Sequence, residues 1–386
     1  IRMFLMGFEC ETHLRFATLE LVRGEWRTYN YALNLKGDAP AQGKMDISVV
    51  NIEENAAQVP VNYVLPPGVT RIIDPGQSQI TQLNEQAMSL KVTDLQSGDA
   101  RAVYKNRGMD MRTYKRLQMF VHAEKLIDDK TNLRDGDVSV FLRLGSDSKS
   151  NYYEYEVPLS LTEPGNYSTY NAQDQEAVWP QSNMFDFPLS LFTDLKLERN
   201  AKKRMDNSTV TFQTRYSSYD PDKNQNKVTI VGNPSLSDVR TMMIGVRNNS
   251  NAAKDIVVWV NEMRLTDFDQ SGGWAAKANV NLGLSDIATL NIAGHVETVG
   301  FGGIDQSLTE RRLDDYYQYN IATMVELGRF LPEKVKLKAP LFYSITEQRT
   351  SPKYNPLDQD ILLKDALDNA GSKAERDSIS DASIEK

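Results

Sequence analysis

Sulfur and imidazole are scarce in this chain of 386 residues: it has one cysteine, Cys10, and three histidines, His13, His122 and His295. A single thiol cannot close an intrachain disulfide. No histidine has a second His or Cys at metal-ligand spacing, so satisfied or solvated side chains are expected and no metal is assigned. No run of about 18 apolar residues exists, and no membrane-crossing helix is predicted. That says nothing of a membrane β-barrel, whose alternating strands have low hydropathy. Positive charge is not in excess. The net charge is −8, which argues against a nucleic-acid surface of clustered Lys and Arg. Gly-x-Ser-x-Gly, phosphate-loop and dinucleotide signatures are missing too, and no cofactor is expected. The chain opens on Ile1 without a secretory leader pattern, and its polar end after Asp358 lacks a closing element. It reads as a segment of a longer protein, so the missing leader does not decide location.

What is present is strand and turn chemistry. Tyrosine (17) outnumbers phenylalanine (13), hydrophobic residues make up 40% and charged ones 25%. Val/Thr/Tyr-rich runs alternate with Gly, Pro, Asn and Asp. An internal similarity pairs residues 1–8 with 239–246, Arg2 matching Arg240 and Gly7 matching Gly245. Gly24-Glu-Trp-Arg27 then resembles Asn261-Glu-Met-Arg264. Either chance or a duplicated domain accounts for it. Residues 1–35 accordingly read as terminal strands of a preceding repeat domain. Residues 36–100 read as an ordered connector with a short helix around Gln82 to Met88. Residues 101–268 read as a β-sandwich, jelly-roll-like, with strands at Leu117–Ala123, Val138–Leu144, Tyr152–Leu161, Val210–Thr214, Val228–Val231, Thr241–Arg247 and Ile256–Leu265. Phe185 to Lys203 is expected to hold a helical turn or two.

From Gly272 the texture changes. Four runs of about ten residues alternate apolar and polar: Ala276 to Leu284, Leu290 to Val296, Tyr317 to Leu327 and Val335 to Ile345. Membrane-barrel strands have this length and period, apolar to lipid and polar to the lumen. An antiparallel sheet with one wet face has it as well. On the barrel reading, residues 272–360 are wall strands. Lumen-facing candidates are Lys277, Asn279, Asn281, Asn291, Glu297, Gln318, Asn320, Glu326, Lys336 and Lys338. Residues 361–386 read as a polar loop or short helix.

Three groups elsewhere invite chemistry. Glu154 and Glu156 share one face of a strand ~7 Å apart, a spacing within reach of a glycosidase pair; a half-exposed strand looks the same. Asp220-Pro-Asp-Lys-Asn-Gln-Asn226 offers alternating oxygens, but Gln225 and Val231 stand where a calcium loop needs Gly and Glu, so a polar hairpin is expected. Trp179, Trp259, Tyr152, Tyr153 and Tyr155 fill a core or stack on sugars. No acid/base or nucleophile set stands out, and the protein is read as non-enzymatic.

Longer segments carry a resemblance. Asn51-Ile-Glu-Glu-Asn-Ala-Ala-Gln-Val-Pro-Val-Asn-Tyr-Val-Leu-Pro-Pro-Gly-Val69, Gln118-Met-Phe-Val-His-Ala-Glu124, Phe141-Leu-Arg-Leu-Gly-Ser146, Asn151-Tyr-Tyr-Glu-Tyr-Glu-Val-Pro-Leu159 and Val260-Asn-Glu-Met-Arg-Leu265 resemble the SprA/Sov family. That family is the outer-membrane translocon of the type IX secretion system, related to gliding motility. The resemblance implies an all-β protein: a very large transmembrane β-barrel with folded domains between its strands, passing folded cargo across the bacterial outer membrane at the cell surface. It implies secreted cargo proteins, a shuttle barrel, a plug protein and outer-membrane lipid as partners, and no catalytic residues. The competing expectation is a secreted or surface glycan-binding β-sandwich protein.

Overall fold

A computed structural model describes residues 26–31, 33, 43–71, 73, 82–307 and 310–383. The first copy of the proposed repeat, residues 1–8 with Gly24 and Glu25, lies outside them, as do Cys10 and His13. Eighteen strands and four helices follow in chain order: β1 (Arg27–Tyr29), β2 (Lys44–Asn51), β3 (Gln86–Leu95), β4 (Ala100–Met109), β5 (Tyr114–Glu124), β6 (Val138–Gly145), β7 (Tyr152–Pro158), α1 (Ala172–Val178), β8 (Phe185–Pro188), α2 (Ser190–Lys203), β9 (Tyr216–Tyr219), β10 (Lys227–Val231), β11 (Val239–Asn248), β12 (Lys254–Phe268), β13 (Ala275–Leu284), β14 (Ala288–Glu297), β15 (Asp314–Glu326), β16 (Pro340–Pro352), β17 (Tyr354–Asn355), β18 (Asp358–Leu362), α3 (Leu363–Asp368) and α4 (Lys373–Ser383).

Two antiparallel sheets form a sandwich. One has the order β1-β4-β11-β6-β7-β10-β9, the other β2-β3-β12-β5-β8. Their facing side chains alternate along each strand, so Leu90, Val92, Leu117, Met119 and Val258 meet Val140, Leu142, Tyr153, Ile244 and Val246 in one core. Helix α2 closes part of this core with Phe192 and Leu195, and Phe192 stacks on Tyr153 at 4.9 Å. Each fully buried side chain of this size contributes roughly 1.5–3 kcal/mol.

Several expectations need correction. Gln82 to Met88 contains no helix: strand β3 begins at Gln86. Strands β2 and β3, both within 36–100, belong to the five-stranded sheet. Residues 210–214 form no strand; β9 starts at Tyr216. The helical turn expected after Phe185 is a short strand followed by a 14-residue helix.

Past β12 the chain builds a third, four-stranded antiparallel sheet, β13-β14-β15-β16. Its edges β13 and β16 are unpaired among the described residues, and no barrel closes there. Beyond β16 the chain returns to the sandwich. Lys353 pairs with Asp269 at 2.8 Å, Arg112 lies 4.6 Å over the Tyr354 ring, and Tyr153 donates to Asp360 at 2.6 Å.

Candidate functional site

The four-stranded sheet is the candidate site, and its register makes it so. Val280 lies opposite Ile292, which lies opposite Ile321, which lies opposite Ile345. The next two rows on the same face are Leu282-Leu290-Thr323-Tyr343 and Leu284-Ala288-Val325-Leu341. Cross-strand partners point to one side, so three successive rows present an almost unbroken apolar surface. The other face carries Lys277-His295-Gln318-Gln348, Asn279-Ala293-Asn320-Thr346 and Asn281-Asn291-Ala322-Ser344. A slip of one residue in any strand would mix the two faces.

Nothing among the described residues covers the apolar side. Val280 is 47% exposed, Leu284 56% and Tyr343 57%. At the end nearer the sandwich that face turns polar, with Tyr317 and Tyr319 beside Asp315, Glu347 and Arg349 around a shallow cleft. The Tyr319 hydroxyl donates to Glu347.

Eight of the ten lumen candidates share the polar face: Lys277, Asn279, Asn281, Asn291, Glu297, Gln318, Asn320 and Glu326. Glu297 is ion-paired to Arg312 at 2.8 Å and lies 3.1 Å from His295. Lys336 and Lys338 are not on a strand. A 3-10 turn at Glu333–Val335 leads into Lys336, whose φ is +51°, and β16 begins only at Pro340. Pro332 and Pro340 bracket the segment and cannot donate to a ladder. Leu327 N bonds Ala339 O at 2.9 Å, so residues 328–338 form the connection at the sheet's far end.

The other chemical candidates are structural. Glu154 and Glu156 lie on β7 in a buried ion cluster with Arg143 and Arg247; Arg215 reaches Glu154 from its edge. Arg247 sits 4.5 Å over the Phe141 ring. Gly245, beside it, has no room for a Cβ, which would lie 2.2 Å from Phe141 Cζ. Burial alone would raise the Glu154 pKa. The Arg143, Arg247 and Arg215 guanidiniums outweigh it and hold the carboxyl far below the usual range. A glycosidase acid needs the opposite shift. Asp220 accepts from Tyr155 at 2.6 Å and caps the β9–β10 hairpin rather than facing a cation site. Trp179, Trp259, Tyr152, Tyr153 and Tyr155 are all buried, at most 5% exposed, and none offers a ring face to a sugar. Sequence reasoning missed the arginine partners of Glu154, because strand pairing across the sheet, not spacing, brings them together. Among the described residues no cluster of His, Cys, Asp and Glu could hold a metal.

Fold and sheet define an all-β protein in which a two-sheet sandwich carries an open, two-faced four-stranded sheet. No curated protein matches the chain. The SprA_N family, described as motility related/secretion protein, matches residues 1–367. The chain belongs to this SprA/Sov family and is a motility- and secretion-related protein.

Proposed function

We propose that this chain is a segment of an outer-membrane secretion channel, the type IX translocon. Its four-stranded sheet is part of the wall of a large β-barrel. The observation that carries the reading is the register: rows of Val, Leu, Ile and Ala on one face and rows of Asn, Gln, Lys and Thr on the other, each left open. Lipid satisfies the first face. The second lines a wet lumen that offers folded cargo hydrogen bonds and few apolar contacts. The open backbone edges of β13 and β16 take further strands, as spanning a bilayer requires. The role is passive and non-enzymatic; the jelly-roll-like sandwich stands outside the bilayer as a rim or docking surface for the shuttle barrel and plug.

Arginine scanning tests this in the full-length protein. Val280→Arg and Ile321→Arg are expected to impair membrane assembly, each costing about 2–4 kcal/mol if near the midplane. Asn279→Arg and Asn320→Arg, one residue away, are expected to assemble normally. Equal tolerance at both pairs defeats the wall assignment.

A further inference from the structure

The four-stranded sheet ends in a cleft that the wall reading leaves without an occupant. It opens on the apolar face at the sandwich end, holds about 460 Å3, and is lined by Asp315, Tyr317, Tyr319, Glu347, Arg349 and Ser351. The register sets these residues in three rows, counted outward from the apolar band: Tyr319 with Glu347, Tyr317 with Arg349, and Asp315 with Ser351. Tyr317 is 44% exposed and Tyr319 41%, so both rings are open to a ligand. Gly294 shares the Tyr319 row and the space a Cβ would take there is empty, so the wall is hollow beside that ring. The three charges do not cancel one another. Glu347 accepts from the Tyr319 hydroxyl. Asp315 accepts from the Val299 N–H at 2.9 Å through one oxygen and leaves the other open. Arg349 has no hydrogen-bond or ion-pair partner among the described residues. Arg349 and Asp315 are diagonal neighbours across β15 and β16, roughly 7–8 Å apart at the backbone, so one ligand can touch both.

We propose that this cleft binds the phosphoethanolamine headgroup of a phospholipid and fixes one lipid against the wall. The inference rests on the channel-wall reading, which puts lipid on this face. The order of the rows matches the order of groups along such a lipid. Acyl chains lie over the Ile321–Ile345 row and the apolar rows beyond it. The glycerol level meets Tyr319 and the hollow at Gly294, the phosphate meets Arg349, and the ammonium, further out, meets Asp315 and Ser351. Tyrosine suits this depth, with an apolar ring and a polar hydroxyl. The lining also decides between headgroups. It sets one cation against two carboxylates, so a purely anionic headgroup meets net repulsion. A choline headgroup has the right charges, but its methylated nitrogen has no N–H to give Asp315. A cationic amphiphile without phosphate leaves Arg349 unpaired.

Native mass spectrometry of the full-length protein in detergent tests this, with dioleoyl phosphatidylethanolamine, phosphatidylcholine and phosphatidylglycerol titrated separately. Phosphatidylethanolamine is expected to bind about tenfold more tightly than the other two, the scale of one hydrogen bond to a charged group. Arg349→Gln is expected to weaken that binding about tenfold. Asp315→Asn keeps an acceptor for the Val299 N–H and is expected to bring phosphatidylethanolamine down to the phosphatidylcholine level. Gln348→Ala, one residue away on the polar face, is expected to change nothing. Equal binding of the three lipids, a preference for phosphatidylglycerol, or native affinity in Arg349→Gln overturns the proposal. Insertion into phosphatidylcholine liposomes, measured alongside, separates the two readings. A protein that inserts but shows no headgroup preference loses only this site, whereas one that does not insert loses the wall and the site with it.

Discussion

At the scale of single residues, the buried charges of the seven-stranded sheet show what sequence cannot carry. Glu154 and Glu156 were visible as two carboxylates on one strand face. Their meaning lay in Arg143, Arg215 and Arg247, which are 11, 61 and 93 residues from Glu154. A buried ion pair gains little over an apolar pair of the same volume, but losing one partner leaves an unpaired charge. Arg247 is fully buried and touches both carboxylates. Arg247→Ala is therefore expected to cost about 3–5 kcal/mol and to lower the thermal midpoint clearly. Arg240→Ala removes the exposed pair with Asp238 on the same strand and is expected to leave the melting curve where it was. Similar midpoints for the two variants would show that the cluster is dispensable.

At the scale of elements, alternation was legible and its interruptions were not. The period-two pattern located β13, β14 and β15 to within a few residues, because each strand has one apolar face. The same pattern ran on through Val335, Leu337 and Ala339, where the chain instead makes a 3-10 turn between two prolines. Strand β4 went unread because its second half, Lys105 to Gly108, is polar and partly exposed. The return of β18 to the sandwich was equally hidden, since its contacts come from residues far away in the chain, Tyr153 and a lysine of α2 among them. Lys196, fully buried, bonds Asp360 at 2.8 Å, Asp358 and the Pro234 carbonyl. Burial pushes the Asp358 carboxyl up to about 6; Lys196 opposes the shift and Asp360 adds to it. A carboxyl raised in the folded state stabilises it fully below its unfolded pKa, and that contribution is lost as pH rises through the folded value. The β17–β18 segment is thus expected to be held more firmly at pH 5 than at pH 7, read as slower amide exchange after correction for the intrinsic rate. Asp358→Asn is expected to flatten that dependence; a variant with the native pH profile would remove Asp358 from the latch.

At the scale of the whole molecule, the apolar band does not run square to the strands. On β13 and β14 it extends toward the sandwich as far as Ala276 and Val296, whereas on β16 it stops at Ile345 and gives way to Glu347 and Arg349. Ala276 and Arg349 share a row, so the boundary moves four residues, roughly 13 Å, across three strand gaps of about 4.8 Å. At the far end the displacement has the same sense. The β13–β14 hairpin turns at Ser285, while exposed Leu327, Phe330, Val335 and Leu337 carry apolar surface beyond the ends of β15 and β16. The sandwich-side boundary gives strands inclined about 40° to the band's normal, within the range of membrane barrels, and the far one is displaced in the same direction. A flat wetted sheet has no reason to stagger both edges in parallel. Spin labels decide the matter, because Ala278 and Glu347 lie in one row but on opposite sides of the sandwich-side boundary. In reconstituted full-length protein, a label at position 278 is expected to relax with oxygen and one at 347 with a water-soluble nickel chelate. Identical accessibility at the two positions would mean that rows, not diagonals, follow the bilayer plane, and the tilt drawn from the side-chain pattern would be lost.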